Sequence, residues 1–188
     1  MRQAEIVYFE KTGESNTSAT LKAAAKRVES GDIYKALIAS TSGATGLAAM
    51  DILTNVEIIV VSHSYGFQQI NKQEFSAANR EAIEGRGGKI LTCQHAFGGV
   101  GRAVRKKFGT YELEEIIAQT LRNFGEGTKV CVEIVLMAAD SGLVNYGENV
   151  LAVAGSDRGA DTALIVKAAN AQSFFDLRIQ EMICKPLF

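Results

Sequence analysis

Short apolar runs alternate with stretches of helical periodicity along most of the chain. Strands are predicted where apolar residues are contiguous, at residues 6–9, 34–39, 56–62, 89–92 and 129–138. The run at 56–62 is nearly unbroken, which is typical of a strand covered on both faces of a parallel sheet.

The predicted helices occupy the segments between these strands. A helix is expected to begin at Asn16, whose amide is a suitable cap, and two others are expected at 44–53 and 112–124. Asn71 and Glu74 are three residues apart and resemble a capping box, so they predict a further helix that ends near Gly85.

The pattern changes after Gly142. Residues 150–153, 163–167 and 176–185 look like strands with few residues between them, and the last alternates as a half-exposed or edge strand would. The pattern therefore predicts one α/β domain over residues 1–188. We expect a three-layer sandwich with a mainly parallel sheet and antiparallel C-terminal strands.

The amino-acid composition excludes several classes of protein. The chain has 188 residues, 47% of them hydrophobic, and a formal net charge of −1, so neither disorder nor nucleic-acid binding is expected. The three cysteines are widely spaced and form neither a disulfide framework nor a CxxC metal pair, which favours the reducing cytoplasm and no metal site. No apolar leader follows Met1 and no apolar run reaches 18 residues, so neither secretion nor membrane association is expected.

Candidate chemistry is concentrated in the segments that follow predicted strands. Ligands of open α/β sheets bind beyond the carboxyl ends of the strands, so these segments should meet at one edge. They are residues 40–46, 62–67, 94–102 and 139–142, which contain both histidines of the chain.

The segment at 40–46 is the most informative of these. It places hydroxyls and a glycine between a strand and a helix, where free backbone N–H groups bind a phosphate or carboxylate. An ordinary capped turn explains the same residues. The P-loop motif is absent, and Val104 stands where a GxGxxG motif that begins at Gly99 requires glycine.

Nucleophilic catalysis has no signature in this sequence. Ser42, His63 and Asp140 could form a triad, and Cys93 lies two residues from His95, but the GxSxG motif is missing. Arg102 is the cation nearest the glycines at 98–101 and could reach an anion. It could equally begin a surface helix.

Three motifs give the chain a resemblance to a known family. The loop Ser40-Thr41-Ser42-Gly43-Ala44-Thr45 is similar to one in the C-terminal α/β domain of pyruvate kinase. Residues 129–142 match the pattern K-V-C-V-E-I-x-x-M-A-A-D-x-G, and 159–163 match G-A-D-T-A, of a stand-alone and mostly archaeal family with that fold. Gly46 departs from the usual alanine, Gly98 from an expected serine and Asn170 from histidine.

The resemblance implies a pocket that holds flavin mononucleotide (FMN) and is compatible with a homo-oligomer. It does not imply pyruvate kinase activity, which resides in a barrel that 188 residues are too few to add. The predicted ligand contacts are Ser40, Thr41, Ser42, Gly43, Ala44, Thr45, His63, Gly66, Phe67, His95, Gly99, Val100, Gly101, Arg102, Asp140, Gly159 and Asp161.

Three functional hypotheses remain open at this point. The first is a cytoplasmic domain that binds FMN or a similar phosphorylated small molecule, with no reaction assigned. The second is a hydrolase or transferase that acts on a small phosphorylated metabolite through His63 or His95. The third is a non-catalytic regulatory module.

Overall fold

The computed structural model describes residues 1 and 3–187, which form one seven-stranded sheet with helices on both faces. The strands are β1 (Val7–Phe9), β2 (Lys35–Ala39), β3 (Glu57–Val61), β4 (Lys89–Leu91), β5 (Asn149–Ala154), β6 (Thr162–Lys167) and β7 (Arg178–Pro186). The helices are α1 (Thr17–Val28), α2 (Ala44–Ile52), α3 (Ala77–Gly85), α4 (Val100–Phe108), α5 (Leu113–Arg122) and α6 (Glu126–Asp140).

The strand order confirms the predicted fold class. It is β1-β7-β6-β5-β2-β3-β4, and every neighbouring pair is parallel except β5–β6 and β6–β7. Strand β7 is half-exposed, as expected, but it is not an edge strand because β1 pairs with its outer side.

Alternation along the central strands divides the core between the two faces. Ile38 and Val60 pack toward α1, α2 and α3, whereas Leu37 and Ile59 pack toward α6. Successive side chains of a strand point to opposite faces, so the uninterrupted apolar runs of β2 and β3 supply both layers.

The predicted strand at 129–138 is wrong, because this segment lies inside the 15-residue helix α6. The helix packs on β2, β5 and β6 with one side and on α5 with another, so nearly all of its residues are buried. A helix buried on all sides has no amphipathic period, and its apolar run resembles that of a buried strand.

The predicted capping box is also wrong. Asn71 adopts a left-handed backbone conformation with φ of 60° in the loop before α3, and the Glu74 side chain pairs with His63. The helix begins at Ala77, and the hydroxyl of Ser76 caps it by accepting a hydrogen bond from the backbone N–H of Asn79. At the start of α1, the Asn16 side chain does not cap the helix but donates to the carbonyl of Lys11.

The order in which the chain adds strands to the sheet changes direction between β2 and β5. From β2 the chain moves to β3 and β4 on one side, and it returns through α6 to β5 on the other side. Such a switch point opens a crevice beyond the carboxyl ends of the two strands. In the part of the chain that the structure describes, no helix has the length and hydropathy to cross a bilayer.

Candidate functional site

A cleft of about 1180 Å³ opens at the switch point between β2 and β5. Ala39 and Ser40 at the end of β2 line it from one side, and Gly155 after β5 lines it from the other. Side chains from α4, α5 and α6 form the wall on the face of the sheet opposite to α1 and α2. The volume lies slightly above the range of about 300–1,000 Å³ for small-molecule sites.

The floor of the cleft is the loop between β2 and α2. Gly43 has φ of 91°, and a Cβ atom there would lie 2.7 Å from both the Phe75 ring and Asn79. The Ser42 carbonyl accepts hydrogen bonds from the Ser76 backbone N–H at 3.1 Å and from Asn79 Nδ2 at 3.0 Å. This anchoring turns the chain sharply into α2, whose first N–H groups have no partner within the helix.

His63 is held between a carboxylate and a hydroxyl at the end of β3. Its Nδ1 lies 2.8 Å from Glu74 Oε2, and its Nε2 lies 3.4 Å from Thr41 Oγ1. Gln73 joins the two segments, because its Nε2 donates to the His63 carbonyl while its Oε1 accepts from the Glu74 backbone N–H. The carboxylate, the ring and the hydroxyl therefore form one connected chain.

His95 has a different set of partners. Its Nε2 accepts from the Ser64 backbone N–H at 3.3 Å, and its Nδ1 lies 3.8 Å from Glu133 Oε2. Glu133 also accepts from Lys129 Nζ at 2.5 Å and from the Phe97 backbone N–H at 3.0 Å. Burial by itself would raise the pKa of Glu133, but His95 and the charge of Lys129 outweigh it and lower that pKa to about 2.

Phe67 brings the second histidine and Arg102 together. The Phe67 ring stacks on His95 with centroids 4.7 Å apart, and the Arg102 guanidinium lies 4.7 Å from the centre of the same ring. A Cβ atom at Gly98 would lie 2.7 Å from Arg102 Nη2. Glycine at a position where the resemblance suggested serine therefore makes room for the guanidinium.

The second departure from the family pattern also has a packing reason. A Cβ atom at Gly46 would lie 2.8 Å from both γ-carbons of Val60 and 3.2 Å from Ile83 Cδ1. Gly46 therefore lets α2 approach β3 more closely than an alanine would. The third departure, Asn170, donates to the Ala139 carbonyl and to Asp140 Oδ1 at the end of α6.

The cleft brings many of the predicted ligand contacts together. Those that line it are Ser40, Thr41, Ser42, Ala44, Thr45, His63, Phe67, His95, Arg102 and Gly159. Gly43 shapes the floor through its backbone, and Gly66, with φ of 78°, shapes the turn before Phe67. Apart from Gly159, these residues belong to the segments that follow β2, β3 and β4, which the reasoning from strand ends placed at one edge of the sheet.

Other predicted contacts have different surroundings. Asp140 is the last residue of α6, accepts from the Asn170 side chain and the Ala171 backbone N–H, and does not line the cleft. Glu74 and not Asp140 is the carboxylate at His63 Nδ1, so the triad predicted with Asp140 is not formed. The predicted place of Asp140 at a strand end depended on the wrong strand at 129–138. Asp161 is fully buried and accepts from the backbone N–H groups of Gly13 and Ser156, which fixes a turn.

The glycines around α4 have packing roles. Gly99 precedes the helix and lies against the Gln94 side chain, while Gly101 lies inside the helix and packs against Glu112 and Glu114. Val100 is 72% exposed. The predicted loop at 98–101 is therefore helical in its second half, at residues 100 and 101, and Arg102 follows in the first turn of α4.

Sequence reasoning missed the charged residues of the cleft other than Arg102, which are Glu14, Asp51, Glu74, Arg122, Glu126, Lys129, Glu133, Asp157 and Arg158. The four-residue spacing of Lys129 and Glu133 is a helical signal that could have identified α6 and its ion pair. Glu74 had no such signal, because it meets His63 only through the fold of a loop. Within residues 1 and 3–187, no three His, Cys, Asp or Glu side chains are grouped so as to hold a metal ion.

One family model matches the chain over residues 18–166, and its description is pyruvate kinase, alpha/beta domain. The match begins in α1 and ends in β6. It includes the loop at 40–45, both histidines and α6, so it covers most of the cleft described above.

Proposed function

The chain belongs to the family of the pyruvate kinase alpha/beta domain, and from this premise we propose that it is a domain that binds a phosphorylated small molecule. The ligand lies in the cleft beyond β2 and β5, with its phosphate on residues 40–45. The observation that carries the proposal is the start of α2, which lies on the floor of the cleft. Backbone N–H groups without a partner inside the helix and the positive end of the helix dipole both favour an anion there, although the Ala44 N–H donates to Ser42 Oγ at 3.4 Å.

Arg102 supports the proposal as the second contact of the ligand. Within the described residues it has no carboxylate at ion-pair distance, whereas Lys129 is paired with Glu133 and Arg122 with Glu126. An unpaired guanidinium that lines a cleft retains its donors for a ligand, and its charge persists at any working pH.

We propose FMN as this ligand. Its single phosphate suits the loop at 40–45, the hydroxyls of Ser40, Thr41 and Thr45 suit its ribityl chain, and Arg102 suits a polar edge of its ring. The cleft of about 1180 Å³ has room for a molecule of this size.

A titration with two flavins tests both parts of the proposal. Flavin fluorescence is followed as FMN, or riboflavin without its phosphate, is added to the purified protein. We expect FMN to bind about 10-fold to 150-fold more tightly, the range for hydrogen bonds to a charged group. Equal affinities would show that the loop at 40–45 does not bind the phosphate. If neither flavin binds, FMN is excluded as the ligand. A visible spectrum and mass spectrometry of released material would then identify another phosphorylated ligand.

A further inference from the structure

Thr41, His63 and Glu74 have the connectivity of a hydroxyl–imidazole–carboxylate triad. Glu74 Oε2 accepts from His63 Nδ1 at 2.8 Å, which leaves the lone pair of the neutral imidazole on Nε2. Thr41 Oγ1 lies 3.4 Å from that nitrogen. Hydrogen bonds of catalytic groups are commonly this long when no substrate is bound.

Two features of the surroundings favour chemistry over a purely structural role. All three residues line the cleft, and each is only partly buried, so a substrate can reach the hydroxyl. Gln73 fixes the Glu74 backbone to the His63 carbonyl, and the Phe67 ring packs on His63 with centroids 4.2 Å apart. The ring is therefore held in one orientation before any substrate arrives.

We propose that Thr41 is a nucleophile that hydrolyses small carboxylic esters, with His63 as its general base. This activity goes beyond the ligand binding proposed above and does not depend on it. The proposal does not depend on the fold, because a hydroxyl activated by an imidazole and a carboxylate attacks acyl groups in proteins of unrelated folds.

The reaction has two balanced steps. Thr41 Oγ1 bonds to the carbonyl carbon and gives its proton to His63 Nε2; the bond to the leaving oxygen then breaks, and the alcohol departs with that proton. Water next attacks the acyl-threonine, gives a proton to His63, and releases the acid as Thr41 recovers its hydrogen. The Glu74 carboxylate stabilises the imidazolium in both steps, and backbone N–H groups at the start of α2 are the donors available to the oxyanion.

Chemical labelling of the unmodified protein tests the nucleophile directly. A fluorophosphonate is added to the native protein, and the modified peptide is identified by mass spectrometry. Modification at Thr41 is expected. Absence of modification, or modification at other hydroxyls only, would overturn the proposal without any variant having to fold.

Rates of p-nitrophenyl acetate hydrolysis test the triad as a unit. We expect Thr41→Val and His63→Gln to lower kcat/KM by about 10²-fold to 10⁴-fold, with Thr41→Ser retaining activity. Glu74 is a positioning residue, so Glu74→Gln should lower kcat with little change in KM, and Glu74→Asp should recover part of the loss. Thr120→Val is the matched control, because Thr120 is an exposed hydroxyl on α5 that does not line the cleft.

Two outcomes would contradict this interpretation. A Thr41→Val protein that melts like the wild type and hydrolyses the ester as fast would exclude Thr41. Cleavage of p-nitrophenyl phosphate without any cleavage of the acetate would also overturn the proposal, because the cleft would then transfer phosphoryl groups instead of acyl groups.

Discussion

Lys129 Nζ lies 2.5 Å from Glu133 Oε2, one turn along α6, and both side chains are less than a tenth exposed. A buried ion pair of this kind contributes little net stability when it is intact, but removing one partner leaves an unpaired buried charge. Lys129 and Glu133 both line the cleft, so a change in either residue alters the charge of the cleft and also the stability of the buried core.

We predict that Glu133→Gln destabilises the protein in a manner that depends on pH. The pKa of Glu133 is lowered to about 2 in the folded state, so the stability that its charge contributes is present above the ordinary carboxyl pKa and is lost as pH falls toward 2. At pH 7 the variant should lose about 3–5 kcal/mol. The gap from the wild type should close between pH 5 and about 2 in urea unfolding.

Lys129→Met combined with Glu133→Gln is the control for this prediction. The double variant removes both charges, so it should be more stable at pH 7 than Glu133→Gln alone. A gap between wild type and Glu133→Gln that stays constant from pH 6 to 3 would show that Glu133 does not contribute through its charge.

We predict that Gly43→Ala costs more stability than Gly87→Ala. Both glycines have positive φ, of 91° and 83°, so alanine is strained at either position. A Cβ atom at position 43 would also press on Phe75 and Asn79, whereas nothing lies within 4 Å at position 87. The excess loss at Gly43 should be about 1–3 kcal/mol, the range for overpacking, as measured by urea unfolding. Equal losses would mean that the loop can move away from α3.

We predict that Arg102→Ala weakens FMN binding far more than Lys106→Ala. Arg102 lines the cleft against Phe67, whereas Lys106 is exposed on α4. The loss for Arg102→Ala should be about 1.5–3 kcal/mol, as for a hydrogen bond to a charged group. Titration at fixed ionic strength measures both variants, and equal small losses would assign only a diffuse positive field to this helix.

We predict that the native protein reacts with a thiol reagent at Cys93 only, and slowly. All three cysteines are free, as the sequence indicated, and Cys131 and Cys184 are buried. Burial raises the pKa of each thiol, to about 11 for Cys184, and Cys131 Sγ donates to the Ala152 carbonyl. Alkylation followed by peptide mapping checks this, with a urea-unfolded sample as the control. Rapid native labelling of Cys131 would contradict it.

The local pattern by itself determined most of the strands and brought several segments that line the candidate cleft to one edge of the sheet. Contiguous apolar residues identified β2 and β3, because strands buried on both faces carry such runs. Parallel strands also bring their carboxyl ends to one edge, so the loop at 40–45 could be placed near His63 from sequence alone.

Only the tertiary structure decided those features that depend on packing between distant segments, namely the helical state of α6 and the partners of the polar side chains. Helix α6 is covered on all sides, so its apolar residues have no period that distinguishes helix from strand. Glu74 contacts His63 because hydrogen bonds of Gln73 hold the loop between them, and these bonds have no sequence pattern. Asp140 lies outside the cleft because it is at the end of α6, where it accepts from the Ala171 backbone N–H. Sequence specifies local periodicity and backbone preference, whereas the partners of a polar side chain are set by how whole elements pack.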